Sequence, residues 1–243
     1  ENYDEVHRAV AFFAHKYGKI DWIESENEYW LETEATLRQD FNVTTGTKID
    51  DMACMKYKSK MKAVYEKAGV KTCRYHLVND YESALKFIDE VGYPVVVKPD
   101  NGVGAAATYK LKSKEEFDYF YATKPSVEFI MEEFVPGHVE TFDGITNSKK
   151  EILICSSHKM MVSIMDSVNE AADSTFHSQM VDNMDIFEVG KRVVEAFDTR
   201  SRYFHFEFFR LDEDKEGLGK KGDILGLEVN MRPPGGFSPD MMN

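Results

Sequence analysis

At 243 residues, with 42% apolar and 30% charged side chains, the chain has ordinary globular composition and length for one large or two to three small cores. Its formal net charge of −13 argues against a nucleic-acid surface, which needs clustered Lys and Arg to replace phosphate counterions. No apolar run approaches the ~20 residues of a membrane span and no basic-then-apolar signal opens the chain. Three cysteines without CxxC spacing (Cys54, Cys73, Cys155) point to free thiols in a reducing, cytoplasmic setting.

The chain opens without Met inside a helical pattern and ends without a closing element, which suggests a piece of a longer protein. Val6, Ala9, Val10 and Phe13 predict a helix over 4–17, ended by Gly18. A short strand, Ile20–Ile23, and a helix carrying Trp30, Leu31, Ala35 and Leu37 follow, an alternation that reads as part of an α/β layer. No glycine fingerprint opens that helix, so no dinucleotide site is expected there. From Asp50 to Gly69 a single lysine-rich helix is expected, then a strand over Val70–Leu77. Asn79 and Glu82 form a capping box for a helix reaching Gly92.

Val95-Val-Val-Lys-Pro99 reads as a buried strand that delivers Lys98. Gly102 and Gly104 follow, then a second strand at Ala106–Leu111. Glycines let backbone N–H groups approach a phosphate, and a lysine beside them supplies a point charge. The order is wrong for a dinucleotide loop or a Walker loop, because a strand follows the glycines and the lysine precedes them. A flap over a triphosphate fits it, as does a plain hairpin with an exposed lysine.

Ser113 and Glu116 form a capping box opening a short helix through Phe117 and Phe120. The strand Val127–Val135 ends at a Pro-Gly hinge, where extended backbone can pair with an adenine edge. Val139–Thr146 and Glu151–Lys159 form a hairpin. Residues 166–185 read as a polar loop in which His177 is a surface histidine, and 184–197 as an amphipathic helix.

The closing strands carry the chemistry. Alternation places Glu228, Asn230 and Arg232 on one face, and Glu207 with His205 on one face of Tyr203–Phe209. Two carboxylates and an amide oxygen suit Mg²⁺ better than zinc, with substrate phosphates completing the shell. The alternative is the solvated face of an amphipathic hairpin. Asp212–Asp223, between these strands, mimics the start of a calcium loop but reads as a hairpin tip, since strands flank it and Asp223 stands in place of the bidentate Glu.

Taken in order, Lys-Ala-Gly-Val, VVVKPxxGxGA, MEEFVPGHVE, FHFEFF and EVNMRPPGG make nearly the whole chain resemble the ATP-grasp superfamily. It is most similar to carboxylate–amine ligases of the amino-acid ligase kind, and more distantly to biotin carboxylase and carbamoyl phosphate synthetase. The resemblance implies an α+β fold of two lobes holding ATP between them, preceded by part of a Rossmann-like α/β lobe. The lobes would span 1–55, 56–133 and 134–243. It implies that Lys58 and Lys98 meet the nucleotide and that Gly102, Gly104 and Ala105 lie in the phosphate flap. Glu132, Glu133 and Val135 would receive adenine, largely through backbone groups, and Glu140 would face the ribose or substrate side. Glu207, Glu228 and Asn230 would hold Mg²⁺, for which Mn²⁺ could substitute. Arg232, with Lys98, would act catalytically on the substrate carboxylate and its acyl phosphate, helped by the Gly235–Gly236 backbone. Tyr57 precedes Lys58 where the family usually has an acid, and alanines replace a flap serine. The implied reaction joins a small carboxylate to an amine with release of ADP and phosphate. An ATP-binding module without turnover and a phosphotransferase remain alternatives, and a homodimer is one assembly left open.

Overall fold

The first helix, α1 (Tyr3–Tyr17), begins where the Asn2 side chain accepts from the Asp4 N–H and ends at Gly18, whose φ is +94°. The computed structural model describes residues 2–102, 107–161, 173, 175–179, 185–236 and 238–239. No strand forms at Ile20–Ile23. Side chains take up backbone groups there instead: Arg38 Nε donates to the Ile23 carbonyl and Thr45 Oγ1 to that of Asp21. A 3₁₀ turn (Glu28–Trp30) then leads into α2 (Leu31–Asp40).

The single helix expected over 50–69 is two pieces. A 3₁₀ segment (Ile49–Met55) ends before Tyr57, which is extended, and α3 (Lys58–Lys67) begins with Lys58 itself. The cause lies far along the chain. The Lys58 N–H donates to the Asp100 carbonyl, while the Asp100 carboxylate accepts from the Ser59 N–H and hydroxyl at 2.7 Å each. Asp100 thus caps a helix whose own sequence lacks a capping side chain.

A four-stranded antiparallel sheet has the order β1-β4-β2-β3, from β1 (Tyr75–Leu77), β2 (Val95–Pro99), β3 (Tyr109–Leu111) and β4 (Phe129–Glu133). One face packs Val95, Val97, Phe129 and Met131 against α4 (Tyr81–Val91) and α5 (Lys114–Thr123). The cap of α4 is Asp80, not Asn79, because it is the Asp80 side chain that accepts from the Ser83 N–H. Ser113 caps α5, but Glu116 reaches back to the Lys112 N–H.

The larger sheet is also antiparallel, in the order β7-β6-β5-β8-β9. Its strands are β5 (Gly137–Thr146), β6 (Ile152–Met160), β7 (Phe176–Gln179), β8 (Tyr203–Leu211) and β9 (Ile224–Asn230). The amphipathic helix α6 (Asp185–Ala196) covers one face with Ile186, Val193 and Val194 over Phe142, Phe204 and Phe206. Met61, Tyr65 and Val70 join that core, as do Leu31, Ala35, Met52 and Met55. Both α3, expected with the small lobe, and the segment before it therefore bury their apolar faces with the large sheet. Among the described residues no helix is long and apolar enough to cross a membrane.

A bulge next to Glu207 makes Phe208 face Gly226 while Glu207 faces Glu228. Glycine is required there, since a Cβ on residue 226 would lie 2.4 Å from the buried Tyr65 ring. Gly226→Ala is expected to cost about 1–3 kcal/mol by overpacking, read as a lower urea midpoint at unchanged slope.

Candidate active site

The uncovered face of the large sheet is a lattice of polar side chains. Glu207 lies directly opposite Glu228, and His205 directly opposite Asn230. On the next strand Thr141 is opposite Glu207 and Asp143 opposite His205. Like charges facing each other across a ladder are unfavourable without counter-charge, and that counter-charge is present.

Lys58 Nζ lies 2.8 Å from Glu228 Oε1 and donates to the Gly102 carbonyl, also at 2.8 Å. This one ammonium ties Gly102 to the large sheet. Burial works against its charge, but Glu228 outweighs burial and raises its pKa. Glu228 itself is raised, by burial foremost and by Glu207, against the pull of Lys58. Glu207 goes the other way: burial is outweighed by His205, Arg232 and Lys98, which lower it. His205 donates Nδ1–H to Asp143 Oδ1 at 2.5 Å and Nε2–H to Glu207 Oε1 at 3.0 Å. Although burial opposes the charge, Asp143 and Glu207 push the imidazole pKa up to about 10.

From the small sheet, Lys98 reaches toward the same place. Its Nζ is 2.6 Å from Glu132 Oε2, and the other Glu132 oxygen pairs with Lys62, which is wholly buried. Glu132 lies in the ladder between Tyr75 and Val96, so its main chain serves the sheet on both sides and its side chain is what faces the lysines. Arg232, just past β9, is held by Glu28 of the N-terminal segment, with Nε 3.1 Å from Oε2.

The structure therefore brings Lys58, Lys98, Gly102, Glu132, Glu207, Glu228, Asn230 and Arg232 together. It sends others elsewhere. Glu133 alternates to the opposite face of β4, bound by Arg74 through two 2.8 Å hydrogen bonds and by Lys215. Glu140 sits on the helix-covered face of β5, paired with Arg210 at 2.8 Å, so it does not join the carboxylates of the uncovered face. Val135 packs its side chain with Cys73, Leu211, Leu218 and Leu225, beyond the end of β4. Open space lies beside Gly235 and Gly236. Gly104 and Ala105 lie outside the described residues, as does most of the loop expected over 166–185. The 212–223 segment is a hairpin tip, in which Asp214 pairs with Lys220 and Asp223 accepts from the Lys220 N–H.

The donor set fits a hard divalent cation. Among the described residues no group of three His, Cys, Asp or Glu side chains is placed to hold a metal by itself. Two carboxylates plus an amide oxygen leave most of an octahedron to water and phosphate, the manner in which Mg²⁺ is usually bound. Sequence reasoning missed Lys62, Asp143, Asp100 and Glu28. Each acts through a partner distant in sequence.

Comparison with known proteins bears on the fold. The L-arginine-specific L-amino acid ligase of Bacillus subtilis is 26% identical over 238 residues, covering 91% of this chain and 53% of that protein. An L-amino acid ligase from Bacillus licheniformis superimposes with a TM-score of 0.66 at 16% identity, covering 96% of this chain and 54% of the other. The biotin carboxylase domain of the Hydrogenobacter thermophilus 2-oxoglutarate carboxylase, solved with MgADP, ADP and bicarbonate, gives 0.67 at 17%, covering 96% and 52%. The chain spans about half the length of each. The model of the ATP-grasp domain family matches residues 56–235, which contain every cleft residue named above except Glu28. With two antiparallel sheets bringing lysines and opposed carboxylates together, and that match over most of its length, the chain belongs to the ATP-grasp domain family.

Proposed function

We propose that the protein is an ATP- and Mg²⁺-dependent carboxylate–amine ligase working through an acyl phosphate. The observation that carries this is the opposed pair Glu207 and Glu228, ringed by Lys58, His205, Lys98 and Arg232. Like charges face to face across a ladder are unfavourable, and carboxylates so perturbed cluster at functional sites. The relatives named above as ligases support the same chemistry.

In this reading residues 1–55, 56–133 and 134–243 are the partial N-terminal, small and large lobes, with α3 and the segment before it packed on the core of the large sheet. ATP is a substrate, held between the sheets. Glu207, Glu228 and Asn230 would hold Mg²⁺, which supplies charge neutralisation for the phosphates. Lys58 and Lys98 bind phosphate oxygens, so that positioning and electrostatics lower the barrier. Arg232, its fork steadied by Glu28, orients the substrate carboxylate. A carboxylate oxygen bonds to the γ-phosphorus as the bond to the bridging oxygen breaks, and ADP departs with that electron pair. An amine nitrogen then bonds to the acyl carbon, phosphate departs with the C–O pair, and the nitrogen gives up one proton as the amide forms. The flap at 102–107 keeps water from the acyl phosphate. The carboxylate and amine are small molecules, and the setting is a reducing cytoplasm.

The test is ADP release by the intact protein offered Mg²⁺, ATP, pooled amino acids and small carboxylates, with hydroxylamine as nucleophile. Stoichiometric ADP, phosphate and hydroxamate are expected. A stable phosphoester in place of the hydroxamate would refute the ligase reading.

A further inference from the structure

The uncovered face of the large sheet holds a second layer behind the carboxylate pair. Asp143 is fully buried and gripped on both oxygens: His205 Nδ1–H donates to Oδ1 at 2.5 Å, and His158 Nδ1–H donates to Oδ2 at 2.8 Å. Thr141 adds its hydroxyl to Oδ2, and itself accepts from the His158 N–H. A carboxylate so held cannot turn, and the imidazole plane of His205 is fixed with it.

The far nitrogen of His205 donates to one particular oxygen, Glu207 Oε1, at 3.0 Å. Asn230 Nδ2 points at that same oxygen from 3.5 Å. Both protein donors thus converge on Oε1. Orienting the Asn230 amide nitrogen toward Glu207 leaves its carbonyl oxygen facing away, with the sign of a hard ligand.

We propose that Asp143 and His205 form a positioning couple for the metal site, fixing Glu207 through Oε1 so that Oε2 and the Asn230 carbonyl are presented to a divalent cation. This rests on the reading of Glu207 as a metal ligand. It adds residues that do not touch the metal but set which oxygens do, the role that outer partners of metal ligands commonly fill.

The experiment measures direct Mn²⁺ binding by electron paramagnetic resonance in the presence of ADP, on the intact protein and three variants. His205→Ala should raise the Mn²⁺ dissociation constant about 10–100-fold, the usual cost of losing such a partner. His205→Gln, which keeps a side-chain N–H donor, should lose only a few-fold, and Asp143→Asn should fall between. Thermal midpoints without metal, taken in parallel, separate a general loss of structure from a loss at the site. If wild-type protein shows no ADP-dependent Mn²⁺ binding, the metal reading of Glu207 fails and this inference with it. If wild type binds and His205→Ala binds equally well, the positioning couple alone is overturned. A Gln variant as weak as the Ala variant also overturns it, since ring bulk and not the donated hydrogen bond would then be what matters.

Discussion

Glu228→Gln is expected to lower Mg²⁺-dependent ATP turnover by about 10²–10³-fold, the scale of losing one well-placed electrostatic group. The substitution keeps the shape of the side chain and a hydrogen-bond acceptor for Lys58, 2.8 Å away, but removes the charge opposed to Glu207. If the pair exists to gather a divalent cation with phosphates, halving its charge strikes the chemistry and spares the fold. Far-UV circular dichroism should be unchanged. Steady-state ADP release measured against Mg²⁺ concentration is the readout, and activity equal to wild type would remove Glu228 from the metal site.

The second large effect concerns stability. Glu132→Gln should destabilise the protein by ~3–5 kcal/mol, because it leaves a buried ammonium without its counter-ion. Lys62 is fully buried, and besides Glu132 it meets the Cys73 sulfur at 3.5 Å, a weak acceptor. Burial alone would raise the Glu132 carboxyl, but Lys62 and Lys98 outweigh it and hold the pKa well below the usual value of 4.5. A depressed carboxyl stabilises fully above its unfolded pKa and loses that contribution as the pH falls through its folded pKa. The difference between wild type and Glu132→Gln in urea unfolding should therefore be flat from neutral pH down to about 5 and shrink only in stronger acid. A difference that disappears already at pH 6 would contradict the ion triad.

Much of this was legible from alternation. Period-two spacing on β8 and β9 put Glu207, Glu228 and Asn230 on facing sides of their strands. What it lacked was register, so the direct opposition of the two glutamates needed the structure. The same period, applied to Glu132 and Glu133, already requires them to point to opposite faces of β4, although motif resemblance assigned both to one role. Glu140 falls on the wrong face for a similar reason, through its pairing with Phe208 and Arg210.

Other differences came from partners distant in sequence. The break before Lys58 depends on Asp100, and the missing strand at Ile20–Ile23 on Arg38 and Thr45. Local propensity sees neither. Nor could it see that Asp143 would meet His205, or Glu28 meet Arg232, since those contacts exist only after the sheets assemble.

The central claim is that a substrate carboxylate takes the phosphoryl group before the amine arrives. The most direct measurement is oxygen transfer: turnover with a carboxylate labelled with ¹⁸O, followed by mass analysis of the released phosphate. One labelled oxygen per phosphate is the result this account predicts. Phosphate carrying no label, in a reaction that still forms the amide, would contradict it.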